Sequence, residues 1–262
     1  MVFVAGHFGE WLQGLWGSEG RIALVTMACP AHGAWADVGP ADRLLLERTG
    51  LIDGDRCARF LAALGLPARG RIRLSPDLPP GGGAGMSTAA LVALARAAGA
   101  PEERIAAACL AVEGATDPLM LRLPDAVLWA PREARVLQAM PPPPRAEIVG
   151  GFWGPPVRTN PADRRFPRID DLIDAWMEGP DLHEAARLAS LSAERATALR
   201  GPADEPTADL ARRLGALGFA RAHTGSARAL IFAPGAVPDG AETVLAAAGY
   251  AGCLRFRTGG RP

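Results

Sequence analysis

The residues best suited to chemistry lie between Leu78 and Ala90, in the run Leu-Pro-Pro-Gly-Gly-Gly-Ala-Gly-Met-Ser-Thr-Ala-Ala. Gly81, Gly82, Gly83, Ala84 and Gly85 carry almost no side chain, so the main chain can come close to a ligand, and glycine tolerates positive φ at little cost. Met86, Ser87 and Thr88 then open an apolar run that reads as a helix. Its N-terminus adds roughly half a positive charge and unpaired N–H groups, and the natural guest of such a loop is a phosphate. Taken alone, the stretch is explained equally well as a flexible Gly/Pro linker. The sequence around it decides between the two readings.

Three further polar groups accompany the loop. Glu10 and Gln13 sit among glycines in Gly6-His7-Phe8-Gly9-Glu10-Trp11-Leu12-Gln13-Gly14. Glu113 and Asp117 flank a short polar loop, and His223, Thr224, Gly225 and Ser226 make a polar turn between apolar segments. Phosphoryl transfer needs a backbone cradle for phosphates, oxygen donors for Mg²⁺, and a carboxylate to accept the proton of the attacking hydroxyl. All of these parts are present. A Walker A loop would need Gly-Lys-Ser/Thr, but Gly85 is followed by Met86. A dinucleotide fingerprint would need Gly or Ala at position 86, and no Gly-x-Ser-x-Gly nucleophile elbow occurs.

The elements that must position these groups follow from periodicity and turn signals. Residues 1–50 read as short strands at Val2–Ala5, Trp11–Trp16, Arg21–Thr26, Ala34–Val38 and Leu44–Arg48. A helix is predicted over Asp53–Leu64, a strand over Arg69–Leu74, two Ala-rich helices over Ser87–Ala98 and Pro101–Val112, and a hairpin over Asp125–Gln138. Pro141 to Pro144 is too stiff for helix or central strand and is read as the boundary between two domains, 1–140 and 145–262. The second half reads as a strand at Glu147–Phe152, and helices near Ile169–Met177, Asp181–Arg200 and Thr207–Leu217. Strands at Phe219–His223 and Arg228–Phe232, a helix at Gly240–Ala248 and a strand at Gly252–Arg257 complete it. The expected class is α+β.

The chain has 262 residues, 49% of them apolar, and 28 basic against 28 acidic residues. A net charge of zero removes the electrostatic case for nucleic acid or an anionic membrane as partner. The basic residues are all Arg, so no catalytic step can use a lysine. Four cysteines without zinc spacing fit reduced, buried thiols in a cytoplasmic protein. The N-terminal residues lack a basic region followed by a long apolar run, which argues against a signal peptide, and no stretch is apolar enough to span a bilayer. The six tryptophans are expected in the core or between domains. Arg158, Arg164, Arg165 and Arg168 form a basic loop expected to be solvated.

Pro79-Pro-Gly-Gly-Gly83-Ala-Gly85-Met-Ser87-Thr-Ala89 resembles the PxxxGLGSSAA phosphate loop of the GHMP small-molecule kinases. Within that superfamily the chain most resembles the L-threonine kinases of cobalamin biosynthesis and propanediol utilisation. Their GELxQG signature is similar to Gly9–Gly14, their EPTD loop to Glu113–Asp117, their AHSGS turn to Ala222–Ser226, and their C-terminal end to Thr258-Gly259-Gly260. The resemblance runs in order from residue 5 to residue 260. It implies a ribosomal-protein-S5-like N-terminal domain and a ferredoxin-like C-terminal domain with ATP and substrate between them. It also implies residue roles. Gly81 to Thr88 would cradle the ATP phosphates, Ser87 and Glu113 would hold Mg²⁺, and Asp117 would orient or deprotonate the hydroxyl of L-threonine. Glu10, Gln13, His223, Thr224, Gly225 and Ser226 would serve the substrate. Met86 stands where the family has Ser, leaving the oxygen chemistry to Ser87 and Thr88. Another alcohol such as homoserine, or a non-catalytic sensor, are the other readings of the same fold.

Overall fold

The computed structural model describes residues 1–47, 50–157, 160, 162–202 and 204–259. Arg48, Arg158 and Gly260, named above, lie outside the described residues. The first half is built from β1 (Val2–Trp16), β2 (Arg21–Gly39), β3 (Leu44–Glu47), α1 (Gly54–Ala63), β4 (Gly70–Pro76), α2 (Met86–Ala97), α3 (Glu102–Glu113), β5 (Val127–Ala130) and β6 (Arg135–Ala139). The second half holds β7 (Ala146–Trp153), α4 (Asp170–Met177), α5 (Leu182–Arg200), α6 (Thr207–Leu214), β8 (Gly218–Arg221), β9 (Ala227–Phe232), α7 (Ala241–Ala247) and β10 (Tyr250–Thr258). The fold is α+β, as expected.

Nearly every predicted element forms, within a few residues, but the opening differs. Five short strands were expected over residues 1–50. Val2–Ala5 and Trp11–Trp16 are instead one 15-residue strand, and Arg21–Thr26 and Ala34–Val38 are one of 19 residues. The glycines inside β1 are not turns. Register shifts at Ala5/Gly6, His7/Glu10 and Glu10/Leu12 absorb them as bulges against β2.

The strands join into one ten-stranded sheet in the order β10-β7-β9-β8-β1-β2-β4-β3, with β5 and β6 branching from β2. The two halves meet where Glu10 of β1 pairs Arg221 of β8. Aromatic packing crosses the same seam. Phe8 meets Phe152 at 5.3 Å and Phe256 at 5.8 Å between ring centroids, and Trp11 meets Trp176 of α4 at 5.7 Å. Trp11, Trp129 and Trp176 are fully buried, as expected of the tryptophans, but Trp35 is 38% exposed, contrary to that expectation.

Helix α2 lies on the sheet against β1 and β2 and beside α3, and Thr88 to Ala95 are buried in succession. A helix apolar all round its circumference is a core helix, and the small alanines let it approach the strands closely. Its N-terminus is therefore held rigidly over β1. No helix among the described residues is long and apolar enough to cross a membrane.

Candidate active site

A cavity of about 840 Å³ opens where the glycine loop, β1, the loop after α3 and the β8–β9 turn converge. The main chain explains how groups so distant in sequence come together. In a regular strand, His7 and Glu10, three residues apart, would point to opposite faces. Gly9 has φ of 77° and sits in the bulge between them, and that extra residue turns both side chains into the cavity. The glycine loop is laid across the same bulge. The His7 N–H donates to the Ala84 carbonyl at 3.2 Å and the Gly9 N–H to that of Gly83 at 3.3 Å.

From the other side, the Ser226 and Ala227 N–H groups donate to the Gly82 carbonyl at 2.9 and 2.7 Å. A Cβ on Gly225 would collide with the Gly82 carbonyl, and one on Gly83 with the Ala222 side chain and the Thr224 carbonyl. The two glycine motifs thus interlock backbone to backbone, a contact that no side chain permits. Strand β8 ends at Arg221 rather than His223 because the chain leaves the ladder there to reach Gly82.

Gly85 caps α2 without a side-chain hydrogen bond, so the first-turn N–H groups have no capping partner and lie at the cavity wall. Met86 is buried, and its terminal methyl lies against Gly6 of β1. Ser87 Oγ donates to Glu113 Oε2 at 2.9 Å, and Glu113 also pairs with Arg56 of α1. Thr88 Oγ1 donates to Asp117 Oδ2 at 3.1 Å. The Asp117 loop is fixed by Trp129, whose Nε1–H donates to the Thr116 carbonyl at 2.6 Å.

His7 stands between two carboxylates, with Nε2 3.4 Å from Asp117 Oδ2 and Nδ1 3.7 Å from Glu10 Oε1. Burial opposes a charge on His7, but Asp117 and Glu10 outweigh it and push its pKa up to about 9. Burial alone would raise Asp117, yet the His7 charge and the hydrogen bonds from His7 and Thr88 hold it below the usual carboxylate range. Glu10 is pushed up to about 8, chiefly by burial and against the pull of His7. His223 is pushed down to about 3 by burial and by Arg200 and Arg132, so its imidazole is neutral at physiological pH. The site therefore presents an ionised Asp117 beside a charged His7, facing an open helix N-terminus.

Of the residues singled out in the sequence, Glu10, Gly81, Gly83, Ala84, Gly85, Met86, Ser87, Thr88, Glu113, Asp117, His223 and Thr224 line this cavity. Gly82, Gln13, Gly225 and Ser226 do not. Gly82, Gly225 and Ser226 build the interlock behind it. Gln13 is buried and its amide donates to the Arg221 carbonyl at 2.7 Å, while its own N–H donates to Ser192 Oγ at 2.9 Å. Arg56 and Arg132 also line the cavity, and sequence reasoning missed both. Each is a single arginine among many, with no motif around it. His7 was visible only as a neighbour of Glu10.

No family model and no curated protein matches this chain in sequence. Solved structures do match its fold. The mevalonate kinase of L. major, solved with R-mevalonate, superposes with a TM-score of 0.65 at 14% identity, over 97% of this chain and 94% of that one. A homoserine kinase from Cytophaga hutchinsonii gives 0.64 at 14% identity, over 98% and 94%. A 4-(cytidine 5'-diphospho)-2C-methyl-D-erythritol kinase gives 0.58 at 18% identity, over 100% and 99%. The fold is that of these kinases. At such identities the likeness speaks for architecture, and the chemistry has to be argued from the cavity itself.

Proposed function

We propose that this protein transfers the γ-phosphoryl group of ATP to the hydroxyl of a small alcohol, with L-threonine as acceptor and O-phospho-L-threonine as product, in cobalamin biosynthesis. Residues 1–140 would form the nucleotide-binding half, and 145–262 the half that closes the cavity from the other side. The observation that carries the reading is Asp117, held ionised by His7 and Thr88 in the same cavity as the open N-terminus of α2. In the reaction the acceptor oxygen bonds to the γ-phosphorus as the bond to the ADP oxygen breaks, and the hydroxyl proton passes to Asp117 Oδ. Backbone N–H groups from Gly83 to Ser87 stabilise the charge on the phosphate oxygens. Little covalent work falls to the protein, and rate comes from positioning and fixed dipoles.

Ser87 and Glu113 supply a hydroxyl and a carboxylate 2.9 Å apart, the hard oxygen donors that suit Mg²⁺, and the ion would neutralise charge on the β- and γ-phosphates. The threonine assignment is supported by the GELxQG-like and AHSGS-like motifs, and the homoserine kinase neighbour makes homoserine the first competitor to test. The experiment is ADP release by the purified protein with Mg-ATP and, separately, threonine, serine, homoserine, mevalonate and a sugar. Turnover with threonine at the highest kcat/KM is expected. Nucleotide binding without turnover on any alcohol refutes the kinase reading in favour of a sensor.

A further inference from the structure

Beyond Asp117, the cavity wall turns strongly basic. Arg132 follows directly on Pro131, whose carbonyl accepts the Thr116 N–H at 2.8 Å, so its backbone is tied to the Asp117 loop. Its side chain lines the cavity beside His223. Arg200, at the end of α5, and Arg164 stand close enough to Arg132 to oppose its charge. Asp163, which pairs with Arg200 at 3.1 Å, is the carboxylate that favours the Arg132 charge. Among the described residues, no other carboxylate forms an ion pair with Arg132, Arg164 or Arg200.

The arrangement is rigid. The buried Phe166 ring stacks on the His223 imidazole at 4.1 Å, with planes 10° apart. Arg200 lies over that ring at 4.3 Å and Arg132 at 5.9 Å, both within cation–π range. One Arg132 nitrogen, Nη2, donates to the carbonyls of Asn160 and Asp163; Nε and Nη1 have no hydrogen-bond partner among the described residues. The neutral His223 adds no charge but leaves its buried Nδ1 unpartnered. A fixed guanidinium with free donors, crowded by like charges and facing a cavity, is matched by an anion that can take a forked hydrogen bond.

We propose that Arg132, backed by Arg200 across Phe166, is the specificity determinant of an anion subsite that binds the negatively charged group of the acceptor. The acceptor is then an alcohol carrying a carboxylate or a phosphate, and a neutral sugar or polyol is excluded. This rests on the kinase reading for the name of the ligand, but the subsite is testable without turnover.

The test is calorimetric binding of L-threonine, L-threoninamide, glycerol 3-phosphate and glycerol to the whole protein with ADP present, repeated with Arg132→Gln and Arg132→Lys. Wild type is expected to prefer an anion over its neutral partner at least tenfold. Preference within the carboxylate pair or within the phosphate pair identifies which anion is used. Arg132→Gln should bring that ratio below threefold while the Kd for ADP stays within twofold, which also shows that the variant is folded. Arg132→Lys should keep part of the preference. No anion preference in wild type, or a preference that survives Arg132→Gln, overturns the subsite. ADP release with an acceptor at an unchanged KM in Arg132→Gln overturns the subsite while leaving the kinase standing. Arg132-dependent anion binding without any ADP release does the reverse.

Discussion

Asp117→Asn isolates the charge on which the proposed chemistry depends. The substitution keeps the size of the side chain and can keep an oxygen toward Thr88 Oγ1, now 3.1 Å away, so the loop should hold its shape. It removes the proton acceptor and the negative charge 3.4 Å from His7 Nε2. Loss of a general base costs about 10²- to 10⁴-fold in rate, equivalent to about 3–5 kcal/mol of barrier. A second effect accompanies the first. With Asp117 neutral, burial is opposed only by Glu10 and the hydrogen bond to the Gly9 backbone, so the His7 pKa should fall below its present value of about 9. The assay is ADP release at saturating Mg-ATP and acceptor, paired with NMR titration of the His7 ring protons. The expected result is a fall of at least 10² in kcat, a KM for ATP within about threefold of wild type, and a lowered His7 titration. A kcat within about threefold of wild type would discard the base role, since no positioned base contributes so little. An unshifted His7 titration would discard the electrostatic coupling separately.

Other outcomes follow from the same geometry. Gly83→Ala adds a methyl at φ of 82° against the Ala222 side chain and the Thr224 carbonyl, and should cost about 2 kcal/mol or more in denaturant unfolding and abolish detectable ADP binding; wild-type stability would show that the interlock has room for a side chain. Met86→Ser, which restores the family's hydroxyl, should lower stability by about 2 kcal/mol through lost packing on Gly6 and give no gain in turnover; a faster enzyme would mean that the side chain reaches the phosphates. Stability should also fall as pH rises. The folded-state pKa of His7, about 9, lies above its ordinary 6.5, so its contribution is complete below 6.5 and is lost as pH climbs through 9. Glu10, raised to about 8 from 4.5, acts in the same direction, because its buried carboxyl resists ionisation. The melting temperature should therefore drop between pH 6.5 and 9, and His7→Gln should flatten the upper part of that fall; a flat wild-type profile contradicts the burial of His7 and Glu10.

Most secondary structure was legible along the chain, since helix and strand periodicities, an Asp such as Asp53 ahead of a helix, and Gly/Pro punctuation are local signals. The glycine loop ahead of an apolar helix announced an anion site for the same reason. The glycines of β1 misled, because a glycine serves a turn and a bulge alike and only the β2 partner tells them apart. What the tertiary structure decided was convergence. Bulging at Gly9 put His7 and Glu10 on one face, and that made His7 the charge that holds Asp117 ionised. Packing against Gly6 turned Met86 into a core residue at the edge of the cavity. The stacking of Phe166 on His223 gathered Arg132 and Arg200 from separate segments into one basic corner. Residue type and spacing determine local conformation and the inventory of reactive groups. Which of those groups share a low-dielectric cavity, and so shift one another's charge, depends on contacts between residues tens to more than a hundred positions apart, and these exist only in the folded chain.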